Sequence, residues 1–261
     1  MENSAKENQE PYLQVENSGR VQWLFLNRAK TRNTLSLEMI RTLKNALEAA
    51  YNDSAIGVVV IAAHGPVFSA GHDLHEMQSQ QREVLIHCAD MMMSIVHGAK
   101  PVIACVAGIA TAGGCQLVSS CDLAIASEEA QFCTPGVNNG GFCTTPLVGI
   151  GRKVQRKHAM ELALTGDMFS AQDAWRFGLV NRVIAPDLLV IETEKLAQKI
   201  ASKSNVAIEL GKKAFYQQVD MPIEEAYVFA TEKMIEAHNT EDSAEGIKAF
   251  FEKRKPHWSG R

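Results

Sequence analysis

The sequence predicts an α/β fold followed by a helical region, and three observations carry that prediction. Two short runs, Gly57 to Ala63 and Val102 to Val106, are wholly apolar, as strands are when both faces of their sheet are covered. Segments with helical apolar spacing alternate with such strands up to residue 127, which implies parallel pairing with right-handed crossovers. From Gly151 onward the spacing is helical almost throughout. With 261 residues and 46% hydrophobic content, the chain can bury one full core.

Taken in order, residues 1–10 are polar and read as a disordered N-terminus. Tyr12 to Glu16 and Val21 to Asn27 are β-rich and form a hairpin across Asn17-Ser18-Gly19. Ser36 caps a helix reaching Tyr51, with Leu37, Ile40, Leu43, Leu47 and Ala50 on its buried face. Gly65 to Leu74, GPVFSAGHDL, is a loop leading into a helical stretch from His75 to Met93, where Met91, Met92 and Met93 pack inward. Asp122 to Ala126 is a further strand, and Ala130 to Phe142 is irregular. Arg152 to Leu164 reads as one helix, Ser170 caps another to Phe177, and Leu179 to Ile184 is extended. Pro186 to Ser202, Val206 to Val219, Ile223 to His238 and Ser243 to Phe251 are helices with one apolar stripe each. They suit a cap or an oligomerisation layer.

The stretch from Pro101 to Asp122, PVIACVAGIATAGGCQLVSSCD, holds the strongest local signal. A buried strand gives way to small residues only, and a helix begins near Gly113. Such a turn leaves backbone N–H groups free at the positive end of a helix, with no side chain in the way. It suits an anionic oxygen: a phosphate, or the oxyanion that develops on a reacting carbonyl. Close packing of helix on sheet would also account for the glycines. Neither G-x-x-x-x-G-K-S/T nor G-x-G-x-x-G occurs, which weakens the phosphate reading.

Composition removes several classes of function. A net charge of −4 gives no sign of a nucleic-acid or anionic-membrane surface, and no apolar run approaches a membrane span. Cys88, Cys105, Cys115, Cys121, Cys133 and Cys143 are scattered through apolar segments without zinc-like spacing, and read as reduced core thiols. The polar start lacks the pattern of a signal or transit peptide, so the chain reads as soluble and cytoplasmic. No G-x-S-x-G elbow or H-E-x-x-H is present, and nothing pairs Cys115 or Cys143 with a histidine as a nucleophile would require.

Two glycine turns remain, each following a buried strand: Ser69-Ala70-Gly71-His72 and Ala112-Gly113-Gly114. With Asn27-Arg28, Asn33-Thr34-Leu35, AQFCTP and the tail EGIKAFFEKRKP, these motifs resemble the enoyl-CoA hydratase/isomerase (crotonase) superfamily from Tyr12 to Trp258. The resemblance implies a β-β-α spiral core over residues 11–200 and a C-terminal helical trimerisation region over 201–261, giving a homotrimer or homohexamer. It implies an acyl-CoA thioester as substrate and no further cofactor or metal. The backbone N–H groups of His72 and Gly113 would form an oxyanion hole for the thioester oxygen as it becomes an enolate. Ala70, His72, Asp73 and Leu74 would border the adenine and pantetheine beside Gly113 and Gly114, with Lys30 and Arg32 at the mouth where CoA enters. A catalytic role for the His72 imidazole is a separate reading, resting on its suitability for proton transfer near neutral pH.

The chain departs from the family where its chemistry is strongest. The resemblance implies glutamates at positions 116 and 136, which together hold a water; here they are Gln116 and Gly136, and neither can act as a general base. Gly136 to Pro146 contains no Asp or Glu, and Thr144 stands where some isomerases carry another acid. The expectation is therefore either an enzyme of lyase or isomerase type that recruits Gln116, Asn138, Asn139, Thr144 or the His72 side chain, or a non-catalytic acyl-CoA-binding or scaffolding protein. Thioester hydrolysis and decarboxylation also remain open. Restoring both acids by Gln116→Glu with Gly136→Glu is expected to install hydration of crotonyl-CoA. Gln116, Thr134-Pro135-Gly136-Val137-Asn138 and the Lys-Pro-x-Trp ending resemble one branch of the family whose animal members are mitochondrial, so the matrix is the expected compartment for a processed eukaryotic form.

Overall fold

The computed structural model describes residues 10–261, so the expected disorder of the N-terminus, Glu10 aside, lies outside the described residues. Strands β1 (Leu13–Ser18) and β2 (Val21–Leu26) pair antiparallel from Leu13↔Leu26 to Ser18↔Val21. The turn is therefore Gly19-Arg20, slightly later than the sequence suggests, with Gly19 at φ +56°. Helix α1 (Leu37–Asn52) starts where expected: the Ser36 hydroxyl accepts the Met39 N–H at 3.2 Å, and all five predicted face residues are buried.

The chain then repeats strand, strand, helix three times. The first round is β3 (Val58–Ala63), β4 (Val67–Ser69), then α2 (Leu74–Ser79) and α3 (Gln81–His97). The second is β5 (Val102–Val106), β6 (Ile109–Thr111) and α4 (Gly113–Ser120). The third is β7 (Leu123–Ser127), β8 (Gln131–Cys133), a 3-10 turn at Pro135–Asn139 and α5 (Pro146–Lys153). After these come α6 (Arg156–Thr165), β9 (Phe169–Ser170), α7 (Ala171–Phe177), β10 (Arg182–Ile184), α8 (Leu189–Ala201), α9 (Asn205–Gln218), α10 (Ile223–His238) and α11 (Glu241–Phe251). The first strand of each round joins a six-stranded sheet, β1-β2-β3-β5-β7-β10. The second joins a four-stranded one, β4-β6-β8-β9. This is the β-β-α spiral that the resemblance implies.

Several expectations need correction. The loop read from Gly65 to Leu74 contains β4, and the irregular stretch from Ala130 to Phe142 contains β8; at three residues each, such strands are too short to show alternation. The helix expected from His75 breaks at Gln80, with φ −145°, and runs on to His97. Met91 and Met92 are buried as expected, but Met93 is 47% exposed. The single helix expected from Arg152 to Leu164 is two, interrupted at Val154 and Gln155, both extended.

The central strands β3 and β5 of the large sheet are buried on both faces, which explains their wholly apolar sequences. One face (Leu24, Leu26, Val59, Ile61, Val102, Ala104) packs with α1 and α3; the other (Val21, Trp23, Val58, Val60, Ile103, Ile125) packs with Leu189, Ala197 and Ala201 of α8. Helix α9 is fastened to this core by one ion pair. Lys212 Nζ donates to Asp122 Oδ2 at 2.7 Å and to the Ile95 and Lys100 carbonyls at 2.8 and 2.9 Å. Asp122 in turn accepts the Val102 N–H at 2.8 Å and the Tyr216 hydroxyl at 3.0 Å. Breaking a buried pair leaves the partner's charge uncompensated. Lys212→Met should lower unfolding stability by about 3–5 kcal/mol, read as a drop in urea midpoint; an unchanged midpoint would show that α9 is held by other contacts.

Candidate functional site

Strands β4 and β6 lie side by side in parallel, with Ser69 opposite Ala110, so the turns that follow them leave the small sheet together. Gly71 has φ +85°, and a Cβ there would stand 2.9 Å from Ala112 Cβ and 3.0 Å from the Gly113 nitrogen. From the other side, a Cβ on Gly113 would lie 3.4 Å from both Gly71 Cα and His72 Cε1. The two turns are thus in van der Waals contact, and only glycine at 71 allows it.

Hydrogen bonds set the direction of each turn. The Gly71 carbonyl accepts the Leu35 N–H at 2.7 Å, so the planar trans peptide points the His72 N–H away from Leu35. The Ala112 N–H donates to the Cys133 carbonyl at 2.9 Å, and Ala112 itself sits at φ +48°, ψ −115°. A non-glycine residue in so sparsely populated a region stores about 1–3 kcal/mol of strain. Gly113 opens α4, so its N–H has no intrahelical acceptor. Among the described residues, neither the His72 nor the Gly113 N–H donates to a backbone carbonyl. Donors so placed at the positive end of a helix can stabilise an oxygen that gains negative charge.

The remaining expected residues fall around these turns to different degrees. Gly114 is buried against the Ser69 backbone, which a Cβ there would strike. The Ala70 N–H donates to the Arg32 carbonyl at 3.0 Å, bringing the Lys30–Arg32 turn beside the loop; both cations are exposed. Asp73 caps α2, its Oδ1 accepting the His75 and Glu76 N–H groups, while Leu74 is 70% exposed. Gln116, one turn along α4 from Gly113, is buried, and its Oε1 has no partner. The His72 Nε2 is likewise buried without a partner, and burial holds the imidazole below its ordinary pKa. Asn138, Asn139 and Thr144 are exposed, and the Asn138 amide donates to the Gly166 carbonyl. A cavity of about 670 Å³ at the hinge between α2 and α3, lined by Gln78, Gln80, Arg82 and His87, touches none of these residues.

Gly136 is where the structure revises the sequence argument. A Cβ there would meet Cys143 N at 2.9 Å, Cys143 Sγ at 3.0 Å and the Phe142 carbonyl carbon at 3.1 Å. The chain folds back on itself, the Gly141 N–H donating to the Gly136 carbonyl at 2.9 Å. Gly136→Glu therefore cannot simply restore an acid, because it must first displace residues 142–143. A thiolate nucleophile finds no support either, since burial pushes the Cys115 thiol up to about 12 and the Cys143 thiol upward. All six cysteines are buried and unpaired, and among the described residues no three His, Cys, Asp or Glu side chains are grouped to hold a metal.

Asn33 is a positioning residue to which the sequence assigned no role. Its amide donates to the His64 and Val67 carbonyls at 2.9 and 2.8 Å and its Oδ1 accepts the Arg28 N–H at 2.8 Å, tying the turn before α1 to β4. Its φ of +50° is one that Asn tolerates better than most residues, which is the available sequence signal.

Residues 16–261 match the family model described as Enoyl-CoA hydratase/isomerase. The chain is 44% identical over 241 residues to mouse (Mus musculus) enoyl-CoA hydratase domain-containing protein 3, mitochondrial, covering 90% of this chain and 80% of that one. It also matches the crystal structure of the human protein of that name, with a TM-score of 0.92 and 42% identity over 95% of this chain and 100% of that one. An enoyl-CoA hydratase structure from Mycobacterium smegmatis matches with a TM-score of 0.92 and 43% identity, covering 95% and 99%. The branch marked by Gln116 and the Thr134–Asn138 segment is the one bearing the first two names. On sequence and fold together, this chain belongs to the enoyl-CoA hydratase/isomerase family, the crotonases.

Proposed function

We propose that the protein binds an acyl-CoA thioester with its carbonyl oxygen between the His72 and Gly113 N–H groups, and stabilises the enolate formed from it. The observation that carries this reading is the contact between the two turns, each presenting an N–H that no backbone carbonyl accepts. Each such donor contributes about 3–4 kcal/mol to a transition state that places charge on the oxygen. Ala70, Asp73, Leu74 and Gly114 border the CoA chain in this reading, and the exposed Lys30 and Arg32 meet its phosphates. The thioester is substrate, and the chemistry asks for no cofactor.

This reading does not rest on hydration by paired carboxylates, because Gln116 and Gly136 stand where the resemblance implies the two glutamates. An isomerase- or lyase-type step through the enolate fits the amides that remain. The backbone packed against Gly136 favours a second reading, acyl-CoA binding without turnover. The apolar residues exposed on α10 and α11, including Tyr227 at 72%, Val228 at 70%, Phe250 at 79% and Phe251 at 77%, suit contact between copies in a homotrimer or homohexamer. Among the described residues, no helix is long and apolar enough to cross a membrane. The mitochondrial relatives make the matrix a compartment to test alongside the cytoplasm.

Three measurements test these statements. By calorimetry, butyryl-CoA should bind about 10- to 100-fold more tightly than its S-butyl thioether, which lacks the carbonyl oxygen that two N–H groups would hold; equal affinities would remove the oxyanion reading. Gly136→Ala should cost about 1–3 kcal/mol through overpacking against Cys143, seen as a lowered melting temperature, whereas a neutral substitution would mean that the 142–143 backbone yields freely. Light scattering should give three or six times the 28.6 kDa chain mass, and a single-chain mass would rule out assembly through α10 and α11.

A further inference from the structure

Two of the buried polar side-chain atoms without a partner, His72 Nε2 and Gln116 Oε1, lie beside the paired turns. His72 Cε1 is 3.4 Å from where a Cβ on Gly113 would stand, and Gln116 follows Gly113 by three residues, on the same face of α4. Gln116 is 6% exposed, so its orphaned oxygen has little access to solvent. Leaving such an atom unpaired costs about 1–3 kcal/mol. Two at one place point to a group that pairs with them during function.

No other nearby group is free to move a proton. The charged or titratable residues on the 28–32 turn, the start of α1 and the start of α2 are Arg28, Lys30, Arg32, Glu38, Asp73, His75 and Glu76. Asp73 is committed to the α2 cap, Glu76 Oε2 accepts the Leu37 N–H at 2.7 Å, Arg28 stacks over the Tyr12 ring, and Lys30, Arg32, Glu38 and His75 are exposed. Helix α4 carries no charge, and residues 130–160 contain no Asp or Glu. The unpaired imidazole is what remains.

Resting on the acyl-CoA reading above, we propose that the His72 imidazole is the catalytic base of this site, with Gln116 as its positioning residue. Nε2 takes a proton from the α-carbon of the bound thioester. The C–H bond breaks, an N–H bond forms, and the electron pair moves through the new carbon–carbon double bond onto the oxygen held by the His72 and Gly113 amides. The protonated ring then donates to Gln116 Oε1, pairing both orphaned atoms. Return of the same proton to carbon restores the thioester; where the imidazolium N–H first trades its hydrogen with solvent water, the α-hydrogen is exchanged, and the cycle needs no oxidant, reductant or metal. Because burial lowers the imidazole's pKa, the ring is neutral and basic at pH 7, and acid removes activity by protonating it.

The test is α-hydrogen exchange of butyryl-CoA in D₂O, followed by NMR, with calorimetric binding measured alongside. Wild-type protein should exchange at a rate that is flat above neutral pH and falls with acid through a pKa below 6.5. His72→Ala keeps the backbone amide; it should retain thioester affinity, lose exchange by about 10²–10⁴-fold, and recover part of it when imidazole is added. Gln116→Met should slow exchange and move the acid limb while leaving affinity in place. Undiminished exchange in His72→Ala, or wild-type binding with no exchange beyond that of free thioester, overturns the assignment of His72 alone. Failure of the wild type to bind butyryl-CoA overturns the acyl-CoA reading beneath it.

Discussion

The hydrogen bond from the Leu35 N–H to the Gly71 carbonyl is the constraint on which the site depends. A peptide plane has one carbonyl and one N–H pointing oppositely, so holding the first aims the second. Leu35 is itself buried ahead of α1, and Asn33 ties the same segment to the 64–67 turn. The direction of the His72 amide is thus inherited from a helix N-terminus some forty residues earlier in the chain. The Gly113 amide is held independently, through the Ala112 bond to Cys133 and the start of α4. Two loops that are distant in sequence meet because β4 and β6 are neighbours in a sheet built from the second strand of each spiral round.

Positions 116 and 136 carry no charged side chain. Gln116 carries an amide where the resemblance implies a carboxylate, Gly136 carries no side chain, and burial holds the His72 imidazole below its ordinary pKa. Electrostatic stabilisation of a developing oxyanion works best where water and competing charge are excluded. A site of this kind can hold an enolate while lacking the means to activate water as paired carboxylates would. In the proposed reading, backbone geometry supplies the stabilisation and no acidic side chain takes part.

Much of this was legible in the sequence, for reasons that vary by element. Helix α1 was readable because Ser36 and five apolar positions agree on one face, and β3 and β5 because burial on both sides leaves no polar residue. The Gly71 and Gly113 turns showed themselves through small residues that follow strands. Strands β4, β6 and β8 were hidden by their length, and the breaks at Gln80 and Val154 fall in stretches whose apolar spacing continues across them. Met93 illustrates a limit of periodicity: three consecutive methionines cannot all face inward from one helix, and the structure turns the third outward. The packing at Gly136 was not readable, since it depends on residues 142–143 folding back through space.

That packing bears on any substitution that would place an acid at this position. Where an acid has been replaced by a smaller residue and the space left open, a single codon change can return it. At Gly136 the space is taken by the main chain of its own neighbours, so an acid there requires a rebuilt loop as well as a new side chain. Introducing an acid at this point is therefore a joint change of loop and side chain, beyond the reach of any single codon.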